Sequence, residues 1–262
     1  MKISKRDLIL DSIISAYLDD NVPIGSNELC SRMQISIPAS TIRVYFKKLS
    51  EEGAIRQLHV SGGRIPTVSI MQKYWRSRLK FDKKLKIEDL NNLSMIVQDF
   101  EIYCMVFTSN SEILKEVLNY NGRFIILVFG DDEIILKFND KILNVLSNLV
   151  GITLEELEKI TMQIGFMELR TKIAELKRSK IQFLANEVVA YKIFKDERFR
   201  ILLDPTFAVK FNKNIIFSPE FDSGFMGVKR DINFIGKDAV MICAGSIYED
   251  YEKFFNTIME VA

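Results

Sequence analysis

The stretch PASTIRVYFKKLSEEGAIRQLHVSGGRIPT, residues 38–67, decides the reading of this chain. Pro38 suits the first turn of a helix, where its missing N–H would be unpaired anyway. Ile42, Phe46 and Leu49 follow at spacings of four and three, which places them on one helical face and leaves Ser40, Arg43 and Lys47 on the other. Gly53 is placed to end that helix in the left-handed conformation. AIRQLHV then reads as a strand, SGG as a tight turn and RIPTVSI as a returning strand.

Toward the N-terminus, Ile9, Leu10, Ile13, Ile14 and Tyr17 recur at helical spacing and predict an amphipathic helix over Lys5 to Leu18. VPIGS (22–26) reads as a turn, with Ser26 capping a short helix that carries Leu29, Cys30 and Met33. Three helices and a β-hairpin in about 70 residues is the order of a winged helix-turn-helix. The charge distribution agrees. The chain carries +1 in total, but residues 1–80 hold 13 Lys and Arg against 7 Asp and Glu, leaving 23 against 28 for the rest. A solvated surface helix would show the same cationic face as the third helix. The regional charge, the hairpin that follows at once, and a tip that joins two glycines to Arg64 favour DNA instead, because phosphate contacts use close backbone approach and bidentate donors.

Downstream, residues 71–87 interleave Arg and Lys with Trp75 and Phe81 and read as a basic linker. Leu90, Leu93, Val97 and Phe100 form a narrow helical seam, and Ile181, Leu184, Val188 and Tyr191 a second; each is core or a dimer contact. EIYCMVFT, RFIILVF and EIILKF read as strands, the last two joined by a GDD hairpin. Thr153 with Glu156 is a capping box opening a helix to about Ile164, and a charged helix follows to Arg178. Short strands are expected near 206–211, 215–217 and 239–244, then a closing helix over 249–259. The second part is therefore expected to be α+β, a sheet with helices on one side.

Enzyme classes find little support. His59 is the sole histidine and has no nucleophile-elbow motif to serve, and neither a phosphate loop nor a dinucleotide fingerprint is present. Cys30, Cys104 and Cys243 are far apart and read as buried packing, with no disulfide framework, metal cage or cofactor site expected. The N-terminus lacks a signal-peptide apolar block and no 18-residue apolar run exists, so the expected location is cytoplasmic with no membrane span.

VPIGS (22–26), STIR (40–43), LSEEGAI (49–55) and above all HVSGGRIPT (59–67), where the family typically reads like HTSAGRIPT, resemble the HrcA-type heat-inducible transcription repressors. The resemblance implies a winged helix-turn-helix domain, a GAF-like α+β domain and a short inserted helical dimerisation segment. Its boundaries here would be 1–75 for the DNA-binding domain, 76–87 for the linker and 88–262 for the effector domain, with the insert at about 179–225. It implies a dimeric repressor that binds an inverted-repeat, CIRCE-like double-stranded DNA operator of chaperone operons, loses activity in heat stress and is supported by chaperonin. Carried over by position, the reading helix and wing are Ser40, Thr41, Arg43, His59, Ser61, Gly63, Arg64 and Pro66, and Lys47 joins them from its place on the outer face. Val44 stands where the family usually has Asn, and AGSIYEDY replaces its GPTRMDY-like motif. The rival is a winged-helix protein-docking or ligand-sensing regulator that does not read DNA sequence.

Overall fold

The computed structural model describes residues 4–59, 62–108 and 113–261. It is a mixed α+β structure. Helix α1 spans Lys5–Asp20, capped by the Ser4 side chain at the Asp7 amide and ended by Asn21 in the left-handed conformation. Helix α2 is Ser26–Arg32 and α3 is Ala39–Glu51, with Pro38 at its N-cap. Ile42, Phe46 and Leu49 are buried as their spacing requires, each contributing about 1.5–3 kcal/mol. Strands β1 (Ile55–Gln57) and β2 (Arg64–Pro66) pair antiparallel, and Ile24 adds a bridge to Arg64.

The returning strand is shorter than the sequence suggests. After Pro66 the chain turns at Thr67, whose hydroxyl donates to the Gly53 and Ala54 carbonyls, and α4 runs over Val68–Arg78. The linker expected at 76–87 is built into the structure: it holds the end of α4 and strand β3 (Leu85–Ile87). Helical spacing of Met71 and Trp75, both fully buried, outweighed the β-propensity of the valine and isoleucine around them.

Helix α5 (Leu90–Asp99) leads into β4 (Ile102–Thr108). A separate layer follows. Strands β5 (Glu116–Tyr120), β6 (Phe124–Phe129) and β7 (Asp132–Lys137) form an antiparallel sheet, covered on one face by helices α6 (Asp140–Ser147), α7 (Leu154–Ile164) and α8 (Met167–Arg178). This unit has its own core, with Ile125, Leu127, Phe129, Leu157, Leu169 and Ile173 among its members. The capping box of Thr153 and Glu156 opens α7, which Gly165 ends.

The chain then returns to the main sheet as β8 (Ile181–Ala185), α9 (Glu187–Phe194), two short 3-10 segments (Glu197–Ile201, Pro205–Lys210), β9 (Ile215–Ile216), β10 (Phe225–Phe234), β11 (Lys237–Ser246) and α10 (Tyr251–Val261). The order across the sheet is β3-β10-β11-β4-β8, with β9 on β10. Helices cover both faces, not one. Alternate residues of β4 divide between two cores: Ile102, Cys104 and Val106 join α1, α5 and α10, whereas Tyr103, Met105 and Phe107 join α9 and the 3-10 segments.

The insert was expected at about 179–225. That stretch supplies an edge strand and one whole face of the main sheet, while the self-contained excursion is 113–178. The seam Ile181, Leu184, Val188, Tyr191 misleads because a strand and a helix meet within it; Val188 is 70% exposed and Ile181–Ala185 is extended. The seam on α5 is core, with Leu93 and Val97 buried. Residues 206–211, expected as strand, form a 3-10 turn behind Pro205. Among the described residues no helix is long and apolar enough to cross a membrane, and no cluster of His, Cys, Asp and Glu could hold a metal ion.

Candidate nucleic-acid interface

Burying one face of α3 turns the opposite face outward, and Ser40, Arg43, Val44, Lys47 and Lys48 are all exposed there. Their spacing of three and four makes them one continuous stripe. Val44, which stands where the family usually has Asn, and Lys48 belong to this stripe as well; for Lys48 helical periodicity is the only signal in the sequence. Val44 is 54% exposed, an apolar contact among cations. Lys48 lies over the Tyr45 ring, 5.6 Å from its centroid. Lys47 faces Glu51 at 4.0 Å, an exposed pair worth at most about 0.5 kcal/mol and easily exchanged for another anion. Thr41 is half-buried, its amide bonded to the Pro38 carbonyl at 2.9 Å.

Arg43 is held before any ligand arrives. Its Nε donates to Ser26 Oγ at 3.0 Å and its Nη2 to Asn27 Oδ1 at 3.1 Å, so α2 fixes the guanidinium at the start of α3. This explains Ser26 differently from the sequence reading. Gly25 occupies the N-cap of α2 without a side-chain bond, and Ser26, one residue inside, orients Arg43.

The hairpin places its residues unevenly. His59 is exposed near the tip, where its carbonyl accepts from the Gly62 amide at 2.9 Å. Ser61 lies outside the described residues. Gly63 and Arg64 follow the turn, Arg64 opposite Gln57 in the ladder pair next to it, while the Ile55–Pro66 pair forms the base. The Arg64 amide donates to Ile24 at 2.8 Å and its carbonyl accepts from Ile24 at 3.0 Å, which ties the hairpin to the chain between α1 and α2. A Cβ on Gly63 would lie 2.5 Å from the Pro23 carbonyl carbon, so the packing of this corner already requires a glycine there. The Arg64 side chain is half-buried; Nη1 reaches the Gly62 carbonyl at 3.4 Å and Nε is buried without a partner among the described residues. Pro66 is buried and its carbonyl accepts from the Tyr248 hydroxyl at 3.0 Å.

Helices α1 and α4 are joined to the sheet through aromatic side chains. Trp75 of α4 is fully buried and its ring meets Tyr251 edge-on at 5.6 Å, while Tyr17 of α1 meets Tyr248 at 5.2 Å. Thus the hairpin, α1 and α4 all touch the 247–251 turn after β11.

Comparison with known proteins bears on the whole chain. A Helicobacter pylori protein named heat-inducible transcription repressor HrcA is 29% identical over 259 residues, 98% of this chain and 96% of that one. A protein of the same name from Fusobacterium nucleatum is 32% identical over 127 residues, 47% of this chain and 35% of its own length. A solved structure described only as a hypothetical protein at 2.2 Å covers 99% of this chain and 97% of its own, with 19% identity and a TM-score of 0.48. Residues 75–262 match the family described as HrcA C-terminal domain, and the chain belongs to the HrcA family.

Proposed function

We propose that this chain is a heat-inducible transcriptional repressor that binds double-stranded DNA as a homodimer. The observation that carries the reading is the exposed polar and cationic stripe of α3, with Arg43 preorganised at its head by Ser26 and Asn27. Residues 1–75 are read as a winged helix-turn-helix whose α3 enters the major groove. There Ser40, Thr41, Arg43 and Lys47 meet base edges and flanking phosphates, and His59 and Ser61 meet the backbone from the wing. Gly63 and Arg64 open the wing's returning strand, where the pairing with Ile24 holds its angle. The remainder is read as a GAF-like effector domain carrying the 113–178 unit.

The dimer contact is assigned to the uncovered face of the three-stranded sheet. Leu118, Ile126 and Ile135 stand in one cross-strand row, and Tyr120 and Phe124 in the next. Four of these five are 42–56% exposed. A row of large apolar side chains on a sheet whose other face is packed needs a partner, and an inverted-repeat operator requires a two-fold one. The second copy is therefore the occupant.

A footprint of the full chain on genomic DNA tests the reading. Protection of an inverted repeat upstream of chaperone genes, falling steeply with salt, is the expected result. Binding that ignores sequence and salt would favour the protein-docking alternative. Operator binding is further expected to fall on moderate warming and to recover with added chaperonin.

A further inference from the structure

Arg230, on β10, is only 6% exposed. Its guanidinium is stacked between two rings, Phe81 at 5.3 Å and Phe255 at 4.8 Å, and Nη2 donates to the Lys83 carbonyl at 3.2 Å. No carboxylate of the described residues forms an ion pair with it; Asp82 acts on it only through space. A guanidinium has five N–H donors, all in its plane, and ring faces satisfy none of them. Removing such a charge from water is unfavourable unless a counter-charge accompanies it. Burial accordingly holds its pKa below the ordinary arginine value.

The same side chain lines a cleft of about 150 Å³ bounded by the end of α4, the 80–83 turn and α10. Arg78 and Glu252, both on its wall, neutralise each other at 2.5 Å. That leaves Arg230, Lys80 and Lys83 against Asp82, an excess of positive charge around a space several water molecules in size. Lys80 and Lys83 are exposed at the mouth and Asn256 adds an amide.

We propose that this cleft binds a small soluble molecule through a carboxylate or phosphate group, with Arg230 as the bidentate anchor and Lys80 and Lys83 at the rim. Arg suits the role because its fork matches an oxyanion at two points. A bound anion would touch α4, β10 and α10 together and so hold α4, which continues directly from the hairpin, against the sheet. The assignment stands on the cleft alone and does not depend on DNA binding.

The test is scanning calorimetry of the full-length chain with sodium phosphate and sodium succinate, each against sodium chloride at equal ionic strength. One of the two oxyanions raises the melting midpoint saturably, because a ligand of the folded state stabilises it in proportion to occupancy. A response to phosphate assigns a phosphoryl ligand, and a response to succinate a carboxylate. Arg230→Met abolishes the response and Arg230→Lys weakens it about tenfold, since an ammonium cannot bind at two points. Should Arg230→Met fail to fold, the double variant Lys80→Met and Lys83→Met, changed only at exposed positions, decides: weaker binding supports the site and unchanged binding overturns it. Midpoints that follow chloride for both oxyanions, or an Arg230→Met titration that overlays the unmodified chain, also overturn it.

Discussion

Trp75 Nε1 donates to the carbonyl of Ile247 at 2.7 Å across 172 residues of sequence, both groups in the core that α4 shares with the sheet. The helix that follows the hairpin is thereby fastened to the turn after the last strand.

That bond should be measurable. Trp75→Phe keeps most of the apolar volume but leaves the Ile247 carbonyl unpaired, and is expected to cost about 1–3 kcal/mol of stability. Trp75→Ala should cost about 3–5 kcal/mol by opening a cavity. Since Trp75 is the only tryptophan, urea unfolding must be followed by circular dichroism, not fluorescence. Indistinguishable midpoints for Trp75→Phe and the unmodified chain would mean the bond contributes nothing.

The two hairpin glycines predict unequal costs. Gly63→Ala drives a Cβ into the Pro23 and Ile24 backbone at 2.5–2.6 Å, with no flexible side chain to give way. A loss of about 1–3 kcal/mol is expected. Gly62→Ala meets its nearest atom, the His59 carbonyl oxygen, at 3.3 Å and should be milder. Thermal unfolding of the two variants side by side checks the order.

On DNA, the stripe of α3 should separate base reading from phosphate contact. Arg43→Ala is expected to cost about 1–3 kcal/mol on the operator and to relax preference at one base position. Ser26→Ala, which touches no DNA in this reading but frees the Arg43 fork, should show a weaker form of the same defect. Lys47→Ala should instead weaken operator and scrambled duplexes alike and lower the slope of log affinity against log salt by about 1. Titrations over a salt series distinguish these outcomes, and a Ser26→Ala variant with unchanged discrimination would remove α2 from the mechanism.

For the dimer, Ile135→Asp is the informative change. Ile135 is 50% exposed, so a carboxylate there leaves the folded subunit intact while making a buried copy-to-copy contact unfavourable. Sedimentation should show a monomer, and operator affinity should fall about tenfold or more as two half-sites cease to act together. The corresponding change at Val188, which is 70% exposed within 179–225, should leave the dimer unchanged.

Much of this was written in local pattern. The burial of Ile42, Phe46 and Leu49, the stripe opposite them, and the capping box at Thr153 follow from spacings of three and four residues, because a helix's periodicity is a property of its own backbone. The recognition of His59 to Thr67 was likewise local. Three things were not. Strand β10, FMGVKRDINF, mixes glycine and charge with its apolar residues and is a strand because β3, β9 and β11 pair with it; hydrogen-bond partners distant in sequence leave no mark in the segment itself. The separate core of 113–178 was settled by which helices covered which sheet face, a choice made by packing among segments of similar apolar content. The setting of Arg43 and Arg64 was settled by tertiary contact: one fork is held by α2, while the other residue, at the turn end of its strand, is held because Ile24 pairs with its backbone. Sequence determines which residues can carry charge to a surface, but only the packed chain decides where that surface is and how those charges are held.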